Sequence, residues 1–175
     1  MPKRKRIRLP RGYYKGRQWF FVTICCEGRR PLFADDHKAV WVAEQVLLAA
    51  TEQGYFVHAW CVMPDHLHLL IEGTCDSSDL LAFLMLFKKR TSFEAWRQFR
   101  LRIWQRSFYD HRLRDDDSVN RVAWYIWMNP VRKGLCAEPK EYPHSGARDM
   151  NWMNSLSPEP SWEPPWKRVT PDGRG

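Results

Sequence analysis

From residue 18 onward the apolar positions repeat with two periods, two residues and about 3.6, and the switches between them mark the predicted elements. Residues 18–26, QWFFVTICC, are aromatic and β-rich and predict a strand. Val40, Ala43, Val46, Leu47 and Ala50 then recur at helical spacing. Asp35 or Asp36 can cap that helix, which runs to about residue 53, where Gly54 suits its stop. Residues 55–62 return to the strand pattern, and residues 63–65 make a tight turn in which Pro64 interrupts the pairing. Residues 66–72 form a third strand, antiparallel to the second as a hairpin. Leu80, Phe83, Leu84 and Phe87 mark the buried stripe of a second helix, with Asp76 as its cap and an end near residues 95–98. Residues 102–112 alternate well enough for a fourth strand. A last helix spans 118–129: the carboxylates of 115–117 favour its positive end, and Pro130 stops it at Asn129. Past Gly134 the pattern fades. Residues 149–175 read as an extended tail rich in Pro and Trp.

The order βαββαβα predicts one α+β domain over 19–148, a ferredoxin-like antiparallel sheet with helices on one face. Hydrophobic residues make up 44% of the chain, enough to fill such a core. The chain has no apolar run of membrane-spanning length and no secretory leader. Its five cysteines are irregularly spaced and form no C-x-x-C pair, which suggests neither a zinc knuckle nor a disulfide framework and reads as a reduced, cytoplasmic protein.

Charge changes this picture. The formal net charge is +8, and eight basic side chains lie in residues 1–18 without one acidic residue, so the surplus is an N-terminal arm. Lys3, Arg4, Lys5, Arg6, Arg8 and Arg11 in that arm suit nucleic-acid phosphates. A second cluster, with Lys88, Lys89, Arg90 and Arg97, has Phe93, Trp96, Phe99 and Trp104 interleaved. Cations for phosphates and flat rings for unpaired bases suit a single strand. Arg132 and Lys133 follow the last helix and can hold phosphates too. Binding of DNA would place the chain at the nucleoid.

The candidate chemistry lies in Met63-Pro64-Asp65-His66-Leu67-His68-Leu69-Leu70. On a strand, His66 and His68 share one face about 6–7 Å apart at the backbone, so two imidazoles can converge on one metal ion. Leu67, Leu69 and Ile71 point the other way, into a core. On the last helix Tyr125 and Asn129 stand one turn apart, on the flank of the face formed by Val119, Val122, Ala123 and Ile126. If that flank faces the histidines, the result is a metal held by two imidazoles and one amide oxygen, with a phenol beside it. Bound Mg²⁺ or Mn²⁺ can polarise a phosphodiester. Attack by Tyr then exchanges one ester for another, so the break can be rejoined without ATP. Tyr109 is the second candidate nucleophile. Glu72 shares the His66 and His68 face, and His111 ends the fourth strand. His37 and His58 read as structural.

Recognition adds to these pieces. The His-hydrophobic-His segment resembles the motif of single-tyrosine transposases of the HUH superfamily. Residues 103–111, IWQRSFYDH, residues 125–135, YIWMNPVRKGL, and Tyr142-Pro143-His144-Ser145 resemble REP-associated tyrosine transposases. The resemblance covers about residues 10–148. It implies that His66 and His68 ligate the metal, that Tyr125 is the nucleophile, and that Asn129 takes the third ligand position, where insertion-sequence relatives usually have Gln. It implies a monomeric or homodimeric enzyme that cleaves single-stranded DNA at palindromic hairpins and becomes joined to the 5′ phosphate. The tail matches no part of that pattern, and Trp124, Trp127 and Met128 make the nucleophile helix bulky. The tail's three Trp, with no core of their own, suggest a segment lying over the site.

Two other readings compete. A cupin would use His66, His68 and Glu72 but needs an all-β barrel, which the alternating pattern does not supply. A nucleic-acid-binding protein descended from a transposase, without catalysis, would explain the arm and the 88–106 cluster. It gives no reason for His66, His68, Tyr125 and Asn129 to occur together.

Overall fold

A computed structural model describes residues 10–114, 117–155 and 162–167. Lys3, Arg4, Lys5, Arg6 and Arg8 of the basic arm lie outside the described residues; Arg11 is exposed in a short turn of helix. The elements run β1 (Trp19–Cys25), α1 (Asp36–Glu52), β2 (Tyr55–Met63), β3 (His66–Gly73), α2 (Leu80–Phe99), β4 (Tyr109–Arg112), α3 (Val119–Trp127), α4 (Asn129–Arg132), β5 (Ser145–Ala147) and α5 (Met150–Ser155). The sheet order is β4-β1-β3-β2-β5, with every neighbouring pair antiparallel. The first four strands therefore have the ferredoxin-like arrangement, extended by β5 at one edge.

The caps follow from local chemistry. Asp35 accepts from the backbone N–H of Lys38 at the start of α1, and Ser118 accepts from Arg121 N–H at the start of α3. The cap of α2 is Asp79, which accepts from Leu81 and Ala82. Asp76, the expected cap, lies in the preceding turn, where it faces Arg17 from the surface at 3.6 Å. The buried side of α1 is Ala39, Val42, Val46, Ala49 and Ala50, turned by about one residue from the expected stripe, with Val40 left half exposed. Only Tyr109–Arg112 of the expected fourth strand joins the ladder. Upstream, Trp104 makes a single bridge to Cys26 and drops into the core against Phe33 and Phe87, which bends the segment off the sheet. Asn129 opens α4 instead of ending a helix, because Pro130 sits in the first turn, where its missing N–H costs nothing. Within the tail, the six residues of α5 are helical.

Two cores lie on opposite sides of the sheet. Phe20, Val22, Ile24, Leu67, Leu69 and Ile71 pack against α1 and α2. Phe21, Leu70, Ala59, Cys61 and Met63 pack against α3. The helices on one face are thus α1 and α2; α3 covers the other. A register shift between Val57 and Ala59 reverses the parity of β2. Before it odd residues face α1 and α2; after it they face α3, since one extra residue exchanges the two faces of a strand. Trp127, fully buried, donates its indole N–H to Gly146 O at 3.0 Å and ties α3 to β5. A Cβ on Gly146 would lie 2.1 Å from the Trp60 ring, so only glycine permits this close approach. Among the described residues, no helix is long and apolar enough to cross a membrane.

Candidate functional site

The strand alternation that sends Leu67, Leu69 and Ile71 into the α1/α2 core turns His66 and His68 toward α3. Both are buried, and their Nε2 atoms lie 3.0 Å apart. Each ring is held from its other nitrogen. His66 Nδ1–H donates to Asp65 Oδ1 at 2.5 Å. His68 Nδ1 is 2.8 Å from Thr23 Oγ1, its partner in register on β1. Phe21 stacks on the His68 ring at 5.3 Å between centroids.

This bonding leaves two arrangements. With Nδ1–H given to Asp65, His66 turns its Nε2 lone pair toward His68. If the Thr23 hydroxyl donates to His68 Nδ1, then His68 Nε2–H donates to His66 and the chain is closed. If His68 Nδ1–H donates to Thr23, both Nε2 lone pairs face one point. Rings oriented from the outer nitrogen, with lone pairs converging, have the pattern of metal-binding histidines. Burial first, and then the neighbouring His66, hold His68 well below its usual range, so it stays in the uncharged form that can coordinate. The hydrogen bond from His66 holds Asp65 below the usual carboxylate range despite its burial, and Arg29, 3.1 Å away, adds to this.

Tyr125 is buried on α3, and its ring meets that of His68 edge-on at 6.0 Å. The Arg132 guanidinium lies over it at 4.4 Å and also donates to Tyr125 O at 2.6 Å. Asn129 is buried one turn on, where its Nδ2 donates to Tyr125 O at 2.9 Å and to Ile126 O. That leaves the amide oxygen as the atom with capacity for another partner. No cluster of three or more His, Cys, Asp or Glu suited to a metal occurs among the described residues. Glu72 is turned away: it bonds His58 Nε2 at 2.9 Å.

Residues 162–167 lie over this group. Trp162, 7% exposed, meets Phe21 and Tyr125 edge-on at 5.2 and 5.3 Å, and its indole N–H donates to Asp117. Trp166 packs on Phe21 and Tyr109, and Lys167 Nζ donates to the Tyr125 hydroxyl at 2.8 Å. His111 bonds the other oxygen of Asp117 at 2.8 Å. Burial alone would raise Asp117, but hydrogen bonds from Arg114, Trp162 and His111 together hold it below its usual value.

The predicted phosphate contacts divide. Lys88 Nζ donates to the carbonyls of Gln105 and Arg106, Arg90 pairs with Glu52, and Arg97 pairs with Glu94. Lys89 and Lys133 are exposed. Sequence reasoning missed Thr23, whose position depends on cross-strand register, and Arg132 as the cation over Tyr125. Asp65 was legible as the neighbour of His66, although its orienting bond was not foreseen.

Residues 17–129, well over half of the chain and a span that holds His66, His68, Tyr125 and Asn129, match the family described as "Transposase IS200 like". The chain belongs to the IS200-like transposases. This transposase is similar to the REP-associated tyrosine transposase of Escherichia coli (strain K12), with 24% identity over 135 residues, covering 77% of this chain and 79% of that relative. Its fold is like that of a REP-associated tyrosine transposase solved bound to a REP hairpin. The TM-score is 0.63 at 22% identity, over 83% of this chain and 82% of that one. The β4-β1-β3-β2 sheet with its flanking helices is thus a transposase fold.

Proposed function

We propose that the chain is a metal-dependent single-stranded DNA transesterase that cleaves and rejoins DNA at palindromic hairpin repeats through a 5′-phosphotyrosine. The observation that carries this reading is the convergence of the His66 and His68 Nε2 atoms beside Tyr125. The hairpin substrate is supported by the E. coli relative and by the solved relative bound to a REP hairpin.

His66, His68 and the amide oxygen of Asn129 would hold Mg²⁺ or Mn²⁺, the mixed N and O donors suiting Mn²⁺ at least as well. When bound, such an ion supplies polarisation of a phosphodiester oxygen. The chain's own residues do the rest. Tyr125 Oη attacks phosphorus, the Oη–P bond forms and the P–O3′ bond breaks; the hydroxyl proton is lost from Tyr125 and the leaving O3′ is protonated. The reverse step restores both. Arg132 stands where its charge attracts the phosphate, and Asp65 and Thr23 keep both imidazoles aimed inward.

The test is covalent trapping. The protein is mixed with hairpins drawn from the palindromic repeats of its source genome, with Mn²⁺ or with chelator, and run on a denaturing gel beside Tyr125→Phe. A metal-dependent adduct that the variant lacks is expected. A native-gel shift with no adduct would favour a binding protein without catalysis, and an adduct that survives in the variant would move the nucleophile to Tyr109.

A further inference from the structure

The helix α2 carries two apolar stripes. Leu80, Phe83, Leu84, Phe87 and Ala95 face the core. At 100° per residue Met85, Lys89, Ser92, Trp96 and Arg100 line up on the opposite side. There Met85, Phe93, Trp96 and Phe99 are 69%, 64%, 52% and 43% exposed. At the end of this stripe a pocket of about 320 Å³ is lined by Ser92, Trp96, Leu101, Arg102, Ile103 and Trp104.

The floor of the pocket is fixed and one wall is open. Trp104 is buried, with its indole N–H given to Thr91 at 2.8 Å, and Ile103 is 3% exposed. Arg30 grips the Arg102 carbonyl at 2.6 Å, which anchors the connector. Trp96 and Arg102 stand exposed at the rim. Residues 95–109 hold Arg97, Arg100, Arg102 and Arg106 and no carboxylate. Arg29 and Arg100 have positive φ, 56° and 54°, in the left-handed region where glycine is favoured. Arg100 lies 5.9 Å over the Trp96 ring and Arg29 pairs with Asp65 beside His66, so both strained positions hold a guanidinium at this end of the molecule.

We propose that this pocket takes an unpaired base of the single strand flanking the hairpin, stacked on Trp96 with its polar edge toward Arg102. The proposal rests on the transesterase reading and deepens it. A flat apolar occupant that arrives on an anionic backbone fits an aromatic wall with Arg102 at its rim and Arg100 over the Trp96 ring. The pocket opens on the α1/α2 side of the sheet, and the connector that floors it runs close to the chemistry. Trp104 bridges Cys26, Gln105 N–H donates to Cys25 O, and Cys25 is in register with His66. Two interstrand spacings, about 10 Å, therefore separate this connector from His66. That is the reach of a few nucleotides around the end of the sheet.

The experiment compares two probes, one hairpin from the genome's palindromic repeats with a short single-stranded extension on either side and the same hairpin blunt. In the first, 2-aminopurine replaces successive flanking bases. The full chain, Trp96→Ala and Arg102→Ala are titrated by anisotropy and by 2-aminopurine quenching. Trp96→Ala is expected to weaken binding of the flanked hairpin about tenfold, to leave the blunt one unchanged, and to lose quenching at one flanking position. Arg102→Ala should weaken the flanked probe while quenching at that position persists. Flanked-probe affinity unchanged in both variants overturns the assignment and leaves the transesterase reading standing. So does a dimer that Trp96→Ala disrupts while flank affinity holds, which would make the stripe a surface for a second copy. Failure of the wild-type chain to bind either hairpin overturns both readings.

Discussion

The two faces of the sheet are built from alternate residues of the same strands, yet they differ in kind. The face under α1 and α2 is apolar along β1 and β3, with Phe20, Val22, Ile24, Leu67, Leu69 and Ile71 meeting Phe83, Leu84 and Phe87. The face under α3 interrupts its apolar residues with Thr23, His66, His68, Tyr125 and Asn129, all buried. Burying such groups costs stability unless each is hydrogen-bonded, and here Asp65 and Thr23 bond the outer nitrogens of His66 and His68. One face therefore supplies stability, and the other holds polar groups in a fixed, water-poor arrangement. Because strand side chains alternate, one short element such as β3 serves both.

The largest expected effect separates the faces directly. Phe83→Ala or Phe87→Ala should cost about 3–5 kcal/mol in urea unfolding, since each deletes a fully buried ring. Tyr125→Phe should abolish the covalent adduct while shifting stability by less than about 1 kcal/mol, since the ring stays and one hydroxyl bond goes. Equal loss of stability in both would mean the site face is as structural as the other.

Metal should sharpen the contrast next. Adding Mn²⁺ at a hundred times its Kd should raise stability by about 2.7 kcal/mol, measured as a higher Tm. His68→Ala should lose this response, while Phe87→Ala, though less stable, keeps it. The removal of residues 156–175 comes third. It uncovers Phe21 and frees the Tyr125 hydroxyl from Lys167, so adduct formation should rise several-fold, while stability falls by about 1–3 kcal/mol from the lost Trp162 burial. An unchanged rate of adduct formation would show that the segment covers the site without restraining it.

The smallest effect is with pH. His68 is held below its ordinary value of 6.5, so between the two values the unfolded chain binds the extra proton. Stability is then complete above about pH 6.5 and falls as pH drops through that value toward the folded one. Asp65, lowered from 3.8, adds stability that is present above that pH and is lost as pH falls further. In metal-free protein, His68→Gln should flatten the decline below about pH 6.5, and an unchanged slope would place the linkage at another group such as His58, which burial also lowers.

Much of this was legible in the residues themselves. The period-2 runs located β1, β2 and β3, the Leu80, Phe83, Leu84 and Phe87 stripe located α2, and the spacing of His66 and His68 put both rings on one side of a strand. These follow from local geometry, in which neighbours along the chain decide where a side chain points. The start of the fourth strand was misread because Trp104 is claimed by the core beneath α2, which no alternation pattern can announce. β5 is three residues long and carries almost no pattern of its own; it exists because Gly146 lets Trp60 approach and Trp127 reaches its carbonyl.

The sequence by itself determined the elements, their order and the residue types able to carry the chemistry. Only the tertiary structure decided that α3 crosses to the face opposite α1 and α2, that the β2 register shift exchanges the two sides of that strand, that Thr23 meets His68, and that Trp162 and Lys167 close over Tyr125. The division has a physical cause. Propensity and periodicity act between residues a few positions apart, whereas Thr23 and His68 are 45 residues apart and Lys167 and Tyr125 are 42 apart. Such pairs are chosen by which buried surfaces fit together once the sheet has formed.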